Sequence, residues 1–304
     1  MTEPLVIAHR GASGHRPEHT AGAYRLAFRL GADSVELDLH ATRDGELVCL
    51  HDLELSRTTD VAARPELAHL RRSVEAGGRV LSGWFVHDLT FAQLQTLRCR
   101  ERWPRKRAAS ATYDGRWPVP TLKDALDLVD GESARRGIPL RVHAELKHPA
   151  FLESVGLSLP DLVAPYQRPR LTWMSFDPVV LRRLALRGQR DLVQLHAHPP
   201  SGREVAVGAS YASGIGVRRD AVIGTDLVAR AHRRGLDVLV WTHRAENQHL
   251  PTDLRVGDAY HAHGLAQRAA EQLYDVGVDA VITDFPETVV AARASTRGRL
   301  PVAR

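Results

Sequence analysis

Short apolar segments recur along the chain, and most of them precede a segment in which apolar residues have helical spacing. Strands that alternate with helices in this way predict a parallel sheet, either closed as a barrel or open. The nine predicted strands are Leu5–His9, Ser34–His40, Leu47–His51, Leu140–Leu146, Leu171–Phe176, Leu192–Leu195, Gly214–Val217, Asp237–Trp241 and Asp279–Thr283. The predicted helices are His19–Leu30, Thr121–Val129, Leu159–Tyr166, Pro178–Arg187, Gly224–Arg234, Leu265–Val276 and Pro286–Ala294.

One of these strands is better explained as the second arm of a hairpin. The pair Asp44-Gly45 lies just before Leu47–His51, and an Asp-Gly pair between two apolar segments is a strong hairpin signal. A two-residue turn at this pair would place Asp38 opposite His51, with their side chains about 5 Å apart. Removing this arm leaves eight strands, the number in a (β/α)8 barrel, and 304 residues suit one such α/β domain with insertions.

Two segments fall outside the alternation of strands and helices. Residues 52–119 are rich in arginine, tryptophan, glycine and polar residues, with one helical pattern at Thr90–Leu97. We interpret them as an insertion that caps the barrel mouth rather than as a second domain. Residues 295–304 are expected to form a frayed tail. The whole chain, 1–304, is thus predicted to be a single domain.

The composition narrows the class of partner. The formal net charge is +5, but the positive residues are scattered apart from the short run Arg105–Arg107, so a nucleic-acid surface is not expected. Cys49 and Cys99 are too few for a disulfide framework and favour a reducing compartment. The first apolar run is too short for a signal peptide, and no run approaches the ~18 apolar residues of a membrane span. We therefore expect a cytoplasmic protein without stable membrane insertion.

Acidic residues collect at the ends of the predicted strands, where barrel enzymes place their reacting groups. Glu36 and Asp38 are two residues apart and therefore share one face of a strand, and Glu145 lies on the next barrel strand. Like charges about 5 Å apart repel by roughly 3 kcal/mol at an effective dielectric constant of about 20, so three carboxylates here require a cation or protonation. An all-oxygen ligand set favours one hard divalent ion and fits Mg2+ and Ca2+ equally.

Two histidines and two cationic residues accompany the carboxylates. His9 and His51 are candidates for the two proton transfers of a phosphodiesterase, because an imidazole pKa near 6.5 suits either direction at neutral pH. Arg10 and Lys147 are candidates for binding a phosphodiester anion. Either histidine fits either role. The alternative explanation is that Glu36, Asp38 and Lys147 form only a buried network of ion pairs.

Two further candidates have an ordinary structural explanation beside the functional one. Trp241 ends an apolar strand, where core packing is the usual role of tryptophan, and it could instead line a ligand site. Glu18 lies at the start of a predicted helix, where the helix dipole favours a carboxylate, and it could instead contact substrate.

Short motifs also follow one another in order from the first strand to the last. They are His9-Arg10-Gly11, Pro17-Glu18-His19-Thr20, Glu36-Leu37-Asp38, Thr42-Arg43-Asp44-Gly45, His51-Asp52, Arg57-Thr58-Thr59, Asp88-Leu89-Thr90, Pro120-Thr121-Leu122, Glu145-Leu146-Lys147, Ser175-Phe176, Trp241-Thr242, Gly277-Val278-Asp279 and Thr283-Asp284. Together and in this order they resemble the glycerophosphodiester phosphodiesterase family over essentially the whole chain.

The resemblance implies an α/β fold, a (β/α)8 TIM barrel of the phospholipase C-like phosphodiesterase type, with a small insertion after the second strand and its hairpin. It implies metal-dependent hydrolysis of glycerophosphodiesters to sn-glycerol 3-phosphate and an alcohol, with attack by water or by the glycerol 2-hydroxyl through a cyclic phosphate. The implied site consists of the acid–base pair His9 and His51, the metal ligands Glu36, Asp38 and Glu145, the phosphate-binding Arg10 and Lys147, and Trp241 on the glycerol side.

Two positions depart from the pattern of that family. His19 replaces the asparagine of Pro-Glu-Asn-Thr, and His243-Arg244 replace a small residue and an asparagine after Trp241-Thr242. We expect both departures to lie outside the core of the site and to affect the fit of the substrate rather than the chemistry.

Three functions remain open at this point. The leading one is a phosphodiesterase that acts on small glycerophosphodiesters. A lysophospholipase D would use the same site on longer lipids, but its insertion should be apolar, whereas residues 52–119 are rich in arginine. A catalytically silent barrel that binds phosphodiesters would have lost a histidine or a metal carboxylate, and this sequence retains them all. The expected partner is a small molecule, and the oligomeric state stays open.

Overall fold

Parallel strands close into a barrel in the computed structural model of the protein, which describes residues 3–76 and 78–296. The strands are β1 Leu5–His9, β2 Ser34–Ala41, β3 Leu47–Cys49, β4 Arg72–Ala76, β5 Arg79–Gly83, β6 Arg141–Leu146, β7 Leu171–Ser175, β8 Leu192–Leu195, β9 Gly214–Val217, β10 Asp237–His243 and β11 Ala280–Thr283. The helices are α1 Ala21–Arg29, α2 Phe91–Leu94, α3 Ala108–Ala111, α4 Leu122–Arg136, α5 Pro149–Ser154, α6 Leu159–Leu162, α7 Pro178–Leu186, α8 Gly202–Gly208, α9 Leu227–His232, α10 Ala266–Asp275 and α11 Pro286–Thr296.

Within the described residues, eight strands form the barrel in the order β1, β2, β6, β7, β8, β9, β10 and β11. The ring closes because β1 pairs in parallel with both β2 and β11, with Ile7 opposite Ser34 and Leu5 opposite Ala280. Strand β3 pairs antiparallel with β2 and does not belong to the ring. The predicted (β/α)8 barrel and the hairpin arm beside it are confirmed.

The alternation of side chains along each strand decides which residues face the barrel interior. Ile7 and Ile282, on neighbouring strands, belong to the apolar cluster inside the barrel, whereas Val6 belongs to the cluster under the helices. His9 lies two residues beyond Ile7 and therefore points inwards at the carboxyl end of β1. Glu36 is the register partner of His9 on β2. The strand pattern thus directs polar side chains into one end of the barrel.

Most of the predicted helices are confirmed, with shifted ends. The Thr20 side chain accepts a hydrogen bond from the N–H of the third residue of α1, and Thr121 forms a capping box at the start of α4. Helix α4 extends beyond its predicted end at Val129 and stops before Gly137, whose φ of +66° terminates it. Helix α8 is absent from the prediction, because its seven residues begin and end with glycine.

The hairpin between β2 and β3 has a three-residue loop, so its predicted register is wrong by one residue. The loop begins after Thr42 and ends at Gly45, whose φ is +85°. A type I turn followed by a left-handed residue is the usual form of a three-residue hairpin loop. Asp38 consequently lies opposite Leu50, whose N–H donates to the Asp38 carbonyl, and not opposite His51.

Residues 52–119 fold around an apolar cluster that also includes Val48 and Leu50 of the hairpin arm. Its members include Leu55, Val61, Trp84, Leu94 and Cys99. This region holds the hairpin of β4 and β5 and the short helices α2 and α3, and α2 lies inside the helical pattern predicted from the sequence. The insertion is therefore a folded layer rather than a loose loop.

The carboxyl-terminal helix is longer than predicted. Helix α11 continues to Thr296, so the first two residues of the predicted tail are helical, and residues 297–304 lie outside the described residues. Among residues 3–76 and 78–296, no helix has the length and apolar character needed to cross a bilayer.

Candidate active site

Three carboxylates meet inside the barrel at the carboxyl ends of β2 and β6. Glu36 and Asp38 share the inward face of β2, and Glu145 is the register partner of Asp38. In the part of the chain that the structure describes, each of the three offers an oxygen atom, and these atoms lie within 4.8 Å of one another. All three residues are buried. The fold therefore brings together the residues that were predicted to bind a metal.

Arg10 and Lys147 neutralise part of this negative charge. Lys147 Nζ lies 2.8 Å from Glu145 Oε1 and 3.4 Å from Asp38 Oδ1, and Arg10 Nε lies 2.9 Å from Asp38 Oδ2. The backbone N–H of Arg10 donates to Glu36 Oε2 at 3.0 Å. These two cations face three carboxylates, so the cluster is one positive charge short of neutrality when all three carboxyl groups are ionised.

The pKa values of the three carboxyl groups reflect this shortage. Burial raises the pKa of Glu36 well above its ordinary value, and the neighbouring Asp38 adds to the effect. Burial also raises the pKa of Glu145 to about 7. Against the effect of burial, Lys147 and Arg10 hold the pKa of Asp38 well below its ordinary value. A further cation would keep all three groups ionised, and their oxygen-only donor set fits a hard divalent ion such as Mg2+ or Ca2+.

His9 is paired with a buried aspartate. Its Nδ1 lies 2.6 Å from Oδ1 of Asp284, the residue that follows β11. Against the effect of burial, Arg244 and Arg107 hold the pKa of Asp284 well below its ordinary value. Because an ionised carboxylate only accepts hydrogen bonds, His9 carries its proton on Nδ1 when the ring is neutral, and Nε2 is the free base. Burial, followed by the charge of Arg10, lowers the pKa of His9 to about 3.

His51 forms a second pair of the same kind. Its Nδ1 lies 2.6 Å from Asp52 Oδ1. Against the effect of burial, the hydrogen bond to His51 and the charge of Arg102 hold the pKa of Asp52 below its ordinary value. Burial lowers the pKa of His51 to about 4, although the nearby Asp38 opposes this. Both histidines are therefore neutral at pH 7 with Nε2 unprotonated, which is the form that accepts a proton.

The two histidines open onto one cavity of about 890 Å3. The cavity is also lined by Arg10, Glu36, Glu145, Lys147 and Trp241. Trp241 meets the ring of Phe176 edge to face, with 5.4 Å between the ring centroids. Most of the candidates named from the sequence thus border a single space, with an apolar wall on the side of Trp241.

Glu18 holds two arginines. Its Oε1 accepts from Arg10 Nη1 at 3.1 Å and from Arg102 Nη2 at 2.7 Å, and its Oε2 accepts from Arg102 Nε at 2.6 Å. The carboxylate of Glu18 is thereby occupied on both oxygen atoms. A contact between Glu18 and substrate stays a prediction.

The two departures from the family pattern lie closer to the chemistry than expected. His19 Nε2 lies 2.9 Å from Asp38 Oδ2. Arg244 Nε donates to Asp284 Oδ2 at 2.9 Å. The expectation that both lie outside the core of the site is wrong, because residue 19 contacts a carboxylate of the cluster and residue 244 contacts the partner of His9.

Four residues of this site were not among the candidates from the sequence: Asp52, Asp284, Arg102 and Arg107. Asp284 follows the end of barrel strand β11, where barrel sites are built, so its position was an available signal. Asp52 follows His51 in the hairpin arm, which lies outside the ring, and only its place beside a candidate histidine pointed to it. Arg102 and Arg107 belong to the insertion, and no spacing in the sequence connects them with the carboxylates they contact.

His243, the last residue of β10, is expected to make the stability of the fold sensitive to acid. Burial, with the charge of Arg219, lowers its pKa to about 4. The same ring in the unfolded chain takes up a proton at about pH 6.5, so stability is lost as the pH falls from about 6.5 to about 4. Between pH 7 and pH 4.5 we expect the free energy of unfolding to fall by about 2 kcal/mol more in the wild type than in His243→Asn. Denaturant titrations at the two pH values measure this, and equal losses would contradict a neutral, buried His243.

Comparison with known proteins places this chain in a family. The model of the glycerophosphoryl diester phosphodiesterase family matches residues 9–288. The glycerophosphodiester phosphodiesterase GDPD6 of Arabidopsis thaliana is 29% identical to the chain over 328 aligned residues, which cover 93% of this chain and 84% of that protein.

Solved structures have the same fold. A phosphodiesterase of Oleispira antarctica superposes with a TM-score of 0.67 at 23% identity, over 95% of this chain and 96% of that one. A glycerophosphodiester phosphodiesterase of Agrobacterium tumefaciens superposes with a TM-score of 0.62 at 20% identity, over 95% and 99% of the two chains. With the family match extending from His9 to residue 288, the chain belongs to the glycerophosphoryl diester phosphodiesterase family and is a phosphodiesterase.

Proposed function

We propose that the protein hydrolyses glycerophosphodiesters to sn-glycerol 3-phosphate and an alcohol, that the reaction depends on a divalent cation, and that His9 and His51 transfer the protons. The observation that carries this proposal is that two histidines, each paired with an aspartate, border the cavity that Glu36 and Glu145 also line. The Oleispira antarctica phosphodiesterase was solved in complex with the product sn-glycerol-3-phosphate, which supports the same product here.

Glu36, Asp38 and Glu145 would hold one Mg2+ or Ca2+ ion. Their oxygen donors and the positive charge that the cluster lacks support this assignment. When bound, the ion supplies a Lewis acid that stabilises negative charge on phosphoryl oxygens.

Arg10 and Lys147 would bind the phosphate of the substrate. Both line the cavity, and both lie against the carboxylates that would hold the ion. The neighbouring carboxylates hold the pKa of each group above its ordinary value despite burial, so both stay charged. A fixed guanidinium and a fixed ammonium group would neutralise a phosphodiester anion and orient it.

His9 and His51 would divide the two proton transfers between them. One imidazole accepts at Nε2 the proton of the attacking hydroxyl, which belongs to water or to the glycerol 2-hydroxyl. The other, once protonated, donates to the oxygen of the leaving alcohol. A bound phosphodiester anion favours this protonated form, because nearby negative charge raises an imidazole pKa.

Trp241 would form the glycerol side of the cavity, with Phe176 beside it. An aromatic wall packs against the carbon atoms of glycerol and leaves its hydroxyl groups to polar partners. We place the whole site in one domain of residues 1–304 that acts on a small molecule. The buried free thiols of Cys49 and Cys99 support a reducing location such as the cytoplasm.

A lysophospholipase D is the second candidate, and the size of the cavity favours it. About 890 Å3 exceeds what a glycerophosphate group needs, and Phe176 and Ile223 expose apolar surface along its lining. Ligand sites of roughly 300–1,000 Å3 typically hold molecules of drug size. A single acyl chain could therefore extend along this apolar wall.

The test is release of sn-glycerol 3-phosphate by purified protein, followed with a coupled dehydrogenase. Glycerophosphocholine, glycerophosphoethanolamine and glycerophosphoglycerol are supplied in turn with EDTA, Mg2+ or Ca2+, and lysophosphatidylcholine is assayed in parallel through choline release. We expect turnover of a glycerophosphodiester with one of the ions and none with EDTA. Turnover of the lysolipid alone would favour the second candidate, and binding without turnover of any substrate would contradict the proposal.

A further inference from the structure

A single segment of the insertion reaches both histidine–aspartate pairs. Arg102 Nη1 donates to Asp52 Oδ2 at 2.6 Å. Five residues later, Arg107 Nη2 donates to Asp284 Oδ2 at 2.6 Å. Both arginine side chains are almost fully buried, at 5% exposure each. We call residues 101–110 the bridging segment.

The same geometry occurs in the two pairs. In each aspartate, Oδ1 lies 2.6 Å from a histidine Nδ1 and Oδ2 accepts from an arginine of the bridging segment. A carboxylate that is bound through only one oxygen can rotate about its side-chain bond. Engaging both oxygens fixes the plane of the carboxylate, and the plane fixes the direction in which the imidazole Nε2 points.

Each arginine is held in turn by a second carboxylate. Arg102 donates through Nε and Nη2 to Glu18, and Arg107 donates through Nε to Glu246 at 2.9 Å. Arg107 Nη1 also donates to the carbonyl of Ser13 at 3.0 Å. Each guanidinium group is therefore held by protein partners on several of its nitrogen atoms before substrate binds.

The bridging segment is held together by hydrogen bonds to the side chain of Glu101, a buried residue of the segment itself. Glu101 Oε1 accepts from the N–H of Trp103 at 2.9 Å, and Oε2 accepts from the Ser110 hydroxyl at 2.5 Å. The N–H of Arg107 donates to the carbonyl of Trp103, and its guanidinium lies 4.8 Å from the centre of the indole ring. These contacts fix the distance between the two arginines.

We propose that Arg102 and Arg107 are positioning residues that lock the two histidine–aspartate pairs, so that the insertion completes the catalytic site instead of only covering it. The proposal rests on the proposed roles of His9 and His51. The residues of the positively charged run Arg105–Arg107 therefore differ in role. Arg105 and Lys106 are exposed to solvent, whereas Arg107 is buried and contacts Asp284.

The two arginines differ in how replaceable they are. Among the described residues, Asp284 receives hydrogen bonds from Arg107 and from Arg244, whereas Arg102 is the one arginine that contacts Asp52. Loss of Arg102 should therefore disturb His51 more than loss of Arg107 disturbs His9.

The kinetic test compares Arg102→Gln, Arg107→Gln and the matched control Arg105→Gln, which alters an exposed arginine of the same segment. With saturating cation, we expect kcat to fall by about 10- to 100-fold in Arg102→Gln and by about 10-fold in Arg107→Gln, with KM within about twofold. Arg105→Gln should keep the wild-type values. Arg102→Lys and Arg107→Lys should recover part of the loss, because an ammonium group can satisfy one of the two carboxylates but not both.

A double-mutant cycle separates positioning from a general loss of structure. If Arg102 acts through Asp52, then Arg102→Gln should cost much less activity in an Asp52→Asn background than in the wild type, and the same should hold for Arg107→Gln in Asp284→Asn. Fully multiplicative losses in both cycles would overturn the proposal. So would folded glutamine variants with wild-type kcat.

Nitrogen-15 NMR of the histidines tests the positioning role of the two arginines without requiring turnover of a substrate. In the wild type, the Nδ1–H protons of His9 and His51 should give downfield signals typical of a hydrogen bond to a carboxylate. We expect Arg102→Gln to broaden or shift the His51 signal and leave that of His9, and Arg107→Gln to do the reverse. If the wild type turns over no substrate, the proposed function fails, and unchanged histidine signals in both variants would still overturn the positioning role.

Discussion

Replacing His9 or His51 by alanine is expected to lower kcat by about 10²- to 10⁴-fold, the range that a positioned acid or base contributes. Both rings are neutral, and both are oriented by an aspartate at 2.6 Å, so each supplies a defined Nε2 for proton transfer. Steady-state release of sn-glycerol 3-phosphate at saturating cation measures the loss. KM should change little, because the cationic groups proposed to bind the phosphate remain.

The control for this experiment is His198→Ala, which removes an exposed histidine outside the cavity lining and should keep the wild-type rate. Thermal unfolding should show that all three variants are folded. A His9→Ala variant that retained more than about a tenth of the wild-type kcat would contradict its role in proton transfer.

A substrate whose leaving group needs no proton can show which histidine is the general acid. In the p-nitrophenyl ester of glycerophosphate, the leaving group is p-nitrophenolate, which departs without a proton, so the variant that lacks the general acid should recover much of its rate on this substrate. The variant that lacks the general base should stay slow, because the attacking hydroxyl still has to lose its proton. Equal deficits on both substrates in both variants would contradict a division of roles.

The barrel was predictable because its signal is local. Each strand is an apolar segment of a few residues with a following helical pattern, and the period of two along β2 fixes which side chains face inwards. Glu36 and Asp38 could therefore be placed on one face before their neighbours were known. Glu145 could be placed beside them because parallel strands joined by one crossover are neighbours more often than not.

The register of the hairpin was less predictable, because it depends on the conformation of one residue. Asp44-Gly45 fits a two-residue loop and a three-residue loop equally well, and Gly45 takes the left-handed conformation that the longer loop requires. The Asp44 carboxylate accepts from the Thr42 hydroxyl and from the N–H of Phe91, so a contact with the insertion helps to select that loop.

The arginines of the insertion could not be predicted at all. Arg102 and Arg107 lie in a region without strand or helix periodicity, and their partners Asp52 and Asp284 are far from them in sequence. An arginine in such a region is by default a solvated surface residue. Burial of these two follows from the tertiary fold, which brings the insertion against the barrel mouth.

Neutralising one carboxylate of the cluster is expected to change stability in opposite directions with and without cation. Glu36, Asp38 and Glu145 lie within 4.8 Å of one another, and Arg10 and Lys147 supply two positive charges against three negative ones. Glu36→Gln removes one negative charge and keeps an oxygen that can accept from the Arg10 N–H. Metal-free Glu36→Gln should therefore be at least as stable as the metal-free wild type.

The same variant should lose the stabilisation that the cation gives. A cation at 100 times its Kd stabilises the folded wild type by about 2.7 kcal/mol. With one carboxylate ligand replaced by a neutral amide, the affinity for the cation should fall by at least about 100-fold. Loss of a residue that only contacts a metal ligand typically lowers the affinity by about 10- to 100-fold, and loss of a ligand itself should cost more. Calorimetric titration with Mg2+ and Ca2+, and thermal unfolding with and without EDTA, measure both effects, with the exposed Glu66→Gln as the control. A Glu36→Gln variant that is destabilised in EDTA and still stabilised by the ion to the wild-type extent would show that the three carboxylates form a structural ion-pair network and not a metal site.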